Sequence, residues 1–356
     1  MRHLSPFKVK LPLISKAIFA IIVLLAFFVP TPYVLMSPGT PQNILGDAIS
    51  ITGAESFPTK GKLSVTSVMV TNPDSYLTGF DILYGWITSD QAVLPRVEIY
   101  PENETAEESN QQGAADMQES QVNATSAALT LLGYKGESKL IINTVNPNSF
   151  AFKQLLTGDQ IISVDQLTLT SATQITDYLQ SKQAGDVVKV KVIRSTSGSA
   201  SISSPNSNPI EVPVKLSKRD DGSAYIGVNI ETKHNFPVNV KIKLDETGGP
   251  SGGLIFALGI IEKLQSEDLI RGRNIAGTGT ITDTGKVGPI GGITEKIIGA
   301  KKAGVSIFIA PIDNCSDITH PELLNGIKVV PVATLAEALA VLRAPDNANL
   351  ASCKSS

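Results

Sequence analysis

Residues 244–264, LDETGGPSGGLIFALGIIEKL, decide how this chain is read. A strand-like run closes at Leu244, a glycine-proline turn follows, and Ser251 stands just ahead of a long apolar stretch of helical length. A sharp turn exposes a hydroxyl. The first N–H groups of a helix lack intrahelical partners and favour negative charge. Ser251 is therefore either a nucleophile with an oxyanion site at its side or a serine that only caps the helix. A serine hydroxyl is a weak nucleophile and needs a base, so the choice turns on whether the chain supplies one.

His3, His234 and His320 are scattered and stand in no catalytic context. Lysine is the other base, and it works only where burial leaves its amine neutral. The segment 277–304, GTGTITDTGKVGPIGGITEKIIGAKKAG, offers two candidates. On a helix starting near residue 293, Lys296 shares a face with Gly299, Ala300 and Ala303, whereas Lys301 and Lys302 project from nearly the opposite side. That small-residue face packs closely and excludes water. Lys286, the rival, lies in a glycine turn that cannot keep an ammonium dry.

The chain of 356 residues is long enough for about two domains. With 18% charged residues and a net charge of −3, it offers no nucleic-acid surface. Its two cysteines, Cys315 and Cys353, show no metal-ligand spacing, so neither a metal nor a cofactor is expected. Arg2, Lys8, Lys10 and Lys16 precede the apolar run 17–29, and the first acidic residue is Asp47. Counted onward to Met36, the run reaches the roughly 20 residues that span a bilayer. The expectation is a cytoplasmic segment 1–16, a transmembrane anchor 17–36, and everything later outside the cytoplasm. A cleaved signal peptide is the alternative, although no small-residue cleavage site follows the run. An oxidising exterior would permit a bond between Cys315 and Cys353.

Along the rest of the chain, residues 63–70 read as a strand, Trp86 in DILYGWI as core, and 114–132 as a helix. Residues 134–217 form a separate block, with strands at 139–145, 160–164 and 187–193, a helix at 171–182, and a Ser/Asn/Pro-rich loop at 195–209. The final block predicts strands at 238–244, 275–281, 305–309 and 328–332, with helices at 254–264, 293–303 and 334–343. Thr334 and Glu337 have the spacing of a capping box. This alternation indicates a mixed α/β fold.

NPNSFAFKQLLTGDQIISVDQLTL, residues 146–169, resembles a PDZ domain. The resemblance implies a groove between a strand and a helix that takes an extended peptide tail by strand addition. Leu140, Ile141 and Ile142 would flank it on one side, Ile175 and Leu179 on the other. The family's glycine-aromatic loop is not evident beside this strand, and Glu137 there would repel a C-terminal carboxylate. A purely structural module is the alternative.

GGPSGG (248–253) together with TGTIT (278–282) and VGPIGGITEK (287–296) resembles the proteolytic domain of Lon proteases, a Ser-Lys dyad family. The resemblance makes Ser251 the nucleophile and Lys296 the general base, with Thr278, Gly249 and Pro250 supporting them. GKLSVTSVMV (61–70) and DMQESQVNATSAAL (116–129) are similar to upstream parts of that domain. The implied order is 37–133, an inserted PDZ-like β-rich domain 134–217, the catalytic part 225–345, and a tail 346–356. The chain departs from the family at Gly248, where an acidic residue is common, and Glu246 is the candidate stand-in. It contains no GxxxxGK[ST] loop, so no ATP is expected to be used. As a whole it resembles ATP-independent, membrane-anchored, PDZ-containing Lon-like proteases of bacteria, in mixed α/β (α+β) form with one transmembrane helix. The resemblance implies a serine endopeptidase acting on unfolded, exposed or membrane-protein segments, and a hexameric ring. A catalytically silent scaffold that binds partner tails, or an enzyme latent until a peptide binds, are the alternatives.

Overall fold

The computed structural model describes residues 12–88, 90–102, 104–169, 172–194, 208–219, 222–244, 248–345 and 348–353. Its α-helices are α1 (Leu13–Phe28), α2 (Gly79–Ile87), α3 (Arg96–Ile99), α4 (Ala106–Leu131), α5 (Ala172–Leu179), α6 (Gly253–Leu264), α7 (Ile293–Lys302) and α8 (Leu335–Arg343). The chain divides into two compact units, one from Met1–Gly133 with Val238–Ser356, the other Tyr134–Pro237. Residues 225–237, read from the sequence as part of the catalytic block, thus belong to the second unit.

The first unit is built on a sheet ordered Lys328–Val332, Ile307–Pro311, Asn274–Gly277, Lys62–Val65 and Gln42–Asn43. The first four strands run parallel, and Gln42–Asn43 is antiparallel to its neighbour. Parallel sheets are covered on both faces, so their strands read as apolar runs such as IFIAP. Helix α6 is buried from Gly253 through Glu262. A helix apolar around its whole circumference is stable only as core, and this one fixes the residue just before it.

Several sequence expectations change. The strand at 63–70 splits into Lys62–Val65 and Val68–Val70, which lie in different sheets. Thr66 breaks the run by turning both its N–H and its hydroxyl to the Gly277 carbonyl, at 3.2 and 3.0 Å. The strand at 275–281 splits as well, at Thr278-Gly279, where Gly279 takes φ +151°. Helix α4 begins at Ala106, earlier than its apolar pattern, because Thr105 and Glu108 form a capping box. At α8 only half of that device forms: Thr334 accepts from the Glu337 N–H, but the Glu337 carboxylate takes the Ala333 N–H instead. Trp86 is not core; it is 70% exposed, and α2 buries Ile82 and Gly85 instead. Cys315 and Cys353 are disulfide-bonded.

The expected anchor 17–36 is not one helix. Helix α1 ends at Phe28 because Pro30 holds Val29 extended, and Tyr33–Pro38 forms a strand with Val34 and Met36 buried. At 1.5 Å per residue its 16 residues extend about 24 Å, against roughly 30 Å for a bilayer core. Among the described residues, no helix is long and apolar enough to cross a membrane.

The second unit is an antiparallel sheet ordered Ile210–Lys215, Val187–Ile193, Gln160–Val164, Glu137–Val145 and Val228–Asn235. Helix α5 places Ile175 and Leu179 in a core shared with Leu140, Ile142, Ile161 and Val190. Asp159, almost wholly buried, is held by the Arg194 guanidinium at 2.8 Å.

Candidate active site

Ser251 and Lys296 are 45 residues apart in sequence, yet the Lys296 Nζ lies 2.9 Å from the Ser251 Oγ. Ser251 does not cap α6. The N-cap is Gly252, with no side-chain cap at all, and the serine hydroxyl faces the amine. Lys286, the rival base, is exposed on the turn between Thr280–Ile281 and Val287–Gly288.

The sequence of α7 explains the lysine's burial. Gly299 lets the helix approach so closely that a Cβ there would stand 2.5 Å from the Gly39 carbonyl oxygen. Lys296 is 3% exposed, whereas Lys301 and Lys302 reach Glu322 and Asp90 on the outer side. Ala303, expected on the packed face, is exposed. Burial alone pulls the Lys296 ammonium down from its ordinary 10.5 to about 8. Near neutral pH a usable fraction of the amine is therefore unprotonated.

Thr278, fully buried, ties the pair together. Its Oγ1 accepts from Lys296 Nζ at 3.1 Å and donates to the Ser251 carbonyl at 3.0 Å. Because the hydroxyl has only one proton, its donation to the carbonyl leaves lone pairs to receive the amine. A neutral amine that gives one N–H to Thr278 can turn its own lone pair toward Ser251.

The turn is held at several points. Gly249 adopts φ +86°, a left-handed conformation that favours glycine, and its N–H reaches the Gly113 carbonyl of α4 at 2.8 Å. Ser120, also on α4, donates to the Pro250 carbonyl at 2.9 Å. The Gly279 N–H adds a bond to the Ser251 carbonyl at 2.7 Å. Gly113 and Ser120 escaped sequence reading because their contacts with the turn are long-range and leave no local pattern. At 248, where the acid is missing, a Cβ would stand 3.3 Å from the Gly113 carbonyl carbon, a contact that needs a shift of a few tenths of an ångström. Glu246, the suggested stand-in, lies outside the described residues.

The start of α6 does not serve an oxyanion as first expected. The N–H groups of Gly253, Leu254 and Ile255 bond to Pro250, Gly279 and Gly252 carbonyls. Those of Ser251 and Gly252 make no hydrogen bond among the described residues, so they are the donors that remain. The loop leading into α7 is clamped by Asn314, which donates to the Ile290 carbonyl at 2.8 Å and accepts from its N–H at 2.9 Å. Among the described residues no group of side chains could hold a metal ion.

The expected peptide groove is not open at its strand. Strand Glu137–Val145 is flanked on both sides, by Gln160–Val164 and by Val228–Asn235, so no peptide can add to it. Leu140 and Ile142 point into the core, as do Ile175 and Leu179, while Ile141 is half-buried. The edge strand beside α5 is Val228–Asn235. Tyr225-Ile226-Gly227 leads into it, with the Gly227 carbonyl held by the Asn146 N–H at 2.9 Å. The N–H groups of Ile226 and Gly227 make no hydrogen bond among the described residues. Glu137 pairs with Asn235, at the opposite end of that strand, and so does not face this loop. An aromatic-Ile-Gly-Val run before an alternating strand was the signal, but it lay beyond the block's assumed end.

Comparison with known proteins finds two domain models, whose bounds overlap those of the two units without coinciding with them. Residues 229–344 match the model of the Lon protease (S16) C-terminal proteolytic domain, and residues 116–216 match the PDZ domain model. Lon protease 1 of Sorangium cellulosum is 32% identical over 166 residues, 46% of this chain and 18% of that protein. Lon protease of Koribacter versatilis is 36% identical over 128 residues, 35% of this chain and 15% of that protein. The chain thus spans less than a fifth of these curated relatives. Among solved structures, the PDZ domain of the SdrC-like protein from Listeria monocytogenes aligns at 24% identity and a TM-score of 0.21, covering 26% of this chain and 85% of that one. This mixed α/β chain therefore carries a Lon-type proteolytic domain, that of a serine-type peptidase, together with a PDZ domain.

Proposed function

We propose that the protein is a membrane-tethered serine endopeptidase that uses Ser251 and Lys296 as a dyad and needs no ATP. One observation carries the reading: a 3%-exposed lysine amine lies 2.9 Å from a serine hydroxyl on a glycine turn. The neutral Lys296 amine takes the Ser251 proton as Oγ attacks the peptide carbonyl carbon. The N–H groups of Ser251 and Gly252 receive the oxyanion. The ammonium then protonates the departing amine, and Lys296 next activates the water that releases the acyl group. The proposed substrates are unfolded segments, exposed tails and membrane-protein stubs. Hydrolysis of an unstructured protein, without nucleotide, should be lost in Ser251→Ala and in Lys296→Ala. Retained cleavage in either variant refutes the dyad.

The edge of Val228–Asn235 would receive a peptide tail by strand addition, with the Ile226 and Gly227 N–H groups at its carboxylate. The Cys315–Cys353 disulfide supports a location outside the cytoplasm, and the apolar α1 supports the tether. The Lon likeness supports a homo-oligomeric ring as the proposed assembly.

A further inference from the structure

Helix α2 presents Phe80, Leu83, Tyr84, Trp86 and Ile87 to solvent. Its one charged residue, Asp81, is spent on capping, accepting from both the N–H and the hydroxyl of Thr78. The outward face therefore carries no charge. A short helix with an aromatic, uncharged outer face has no reason to be so if water covers it.

What covers it is indicated by its neighbour. Helix α1 packs on α2, with the Phe27 and Phe80 rings 6.4 Å apart. In α1 the five consecutive residues Ile21, Ile22, Val23, Leu24 and Leu25 are all exposed. At about 100° per residue these five face every direction, so α1 has no polar side to turn to water. A helix apolar all round belongs either in a protein core or in lipid, and with these five residues exposed α1 is not in the core of this protein. Lys16 is the one charged residue in α1, near its first turn, and Arg2, Lys8 and Lys10 precede it in the sequence.

We infer that the outer face of α2 is a second membrane contact, lying in the bilayer interface beside α1 and seating the proteolytic unit on the lipid surface. This rests on the tether reading above and adds a site to it. Tyr84 and Trp86 have the amphipathic rings that favour the headgroup level, and an apolar face immersed at the interface is how amphipathic helices bind bilayers. The two helices are stitched to one small sheet. Tyr33–Pro38, after α1, pairs with Ala92–Pro95, after α2, in the register Tyr33 with Pro95 through Met36 with Ala92. The same chain then runs to Gly39, whose carbonyl lies beneath Gly299 on the helix that bears Lys296. The dyad is thus held to the bilayer through ordered sheet, which favours substrates whose cleavable segment lies close to the membrane.

Trp86 is the single tryptophan of the chain, so its fluorescence reports on this face alone. Full-length Ser251→Ala protein is reconstituted into phosphatidylcholine–phosphatidylglycerol vesicles and isolated by flotation. The expected result is a blue-shifted emission, strong quenching by lipids brominated high on the acyl chain, and loss of quenching by aqueous acrylamide. Floated protein whose Trp86 is quenched by acrylamide as fully as in the unfolded chain overturns the α2 contact while leaving the tether intact. Protein that does not float overturns the tether and this inference together, and leaves the peptidase reading to the dyad variants. A blue shift that instead appears without vesicles as protein concentration rises assigns the face to a second copy and also overturns it.

Discussion

Thr278 holds the dyad in working order by dividing its hydroxyl between two partners, the Ser251 carbonyl and the Lys296 amine. Thr278→Val keeps the shape and removes both bonds, so kcat should fall by about 10–100-fold, the range of a lost positioning hydrogen bond, with the melting temperature little changed. Steady-state hydrolysis of an unfolded protein checks this. Lys296 has a thermodynamic signature of its own. Burial brings its folded value to about 8 against an ordinary 10.5, so between those pH values the unfolded chain binds more protons and stability rises with pH. Below about pH 8 the buried ammonium is a penalty, at most about 3 kcal/mol. Lys296→Met should therefore melt higher than the wild type at pH 7, and the gap should close toward pH 10. Calorimetry across that range tests the sign, and a gap independent of pH would remove burial as the cause.

At the scale of elements, α7 and α4 position the chemistry by approaching the backbone closely. Gly299→Ala would gain about 1 kcal/mol of helix propensity, but its Cβ would meet the Gly39 carbonyl oxygen at 2.5 Å. The clash is with backbone and costs about 1–3 kcal/mol, so it wins: thermal unfolding should show a lower melting temperature, with activity reduced as α7 is pushed out. The small-residue face of α7 and the apolar length of α6 were legible in the sequence because periodicity and residue size encode burial. The grip of α4 on the nucleophile turn was not, since Gly113 and Ser120 act through long-range backbone contacts with no local pattern. That Glu137–Val145 is an interior strand was not legible for a related reason. Which strand of a sheet is an edge depends on pairing across the chain, and Val228–Asn235 lies far from the motif that suggested the domain. Trp86 was read as core because an apolar cluster looks the same whether a protein or a membrane will cover it.

For the molecule as a whole, the disulfide closes a loop of 38 residues in the proteolytic unit, which constrains the unfolded chain by about 3–4 kcal/mol. Cys353→Ser, or a reducing agent, should lower the melting temperature of the intact chain by several degrees. An unchanged melting curve would show that the bond does not form in solution. Cys353 packs in one buried cluster with Phe308 and Val329 and donates its N–H to the Val329 carbonyl at 2.9 Å. These contacts do not need the S–S bond, so hydrolysis should persist after reduction at temperatures below the new midpoint.

The most direct test of the account is the pH profile of peptide hydrolysis by the wild type and by Lys296→Arg. A base with its amine lowered to about 8 predicts a rate that rises through that pH and then levels. It also predicts that arginine, which does not give up its proton, abolishes cleavage at every pH. A rate already flat below pH 7, or an active Lys296→Arg enzyme, would contradict it.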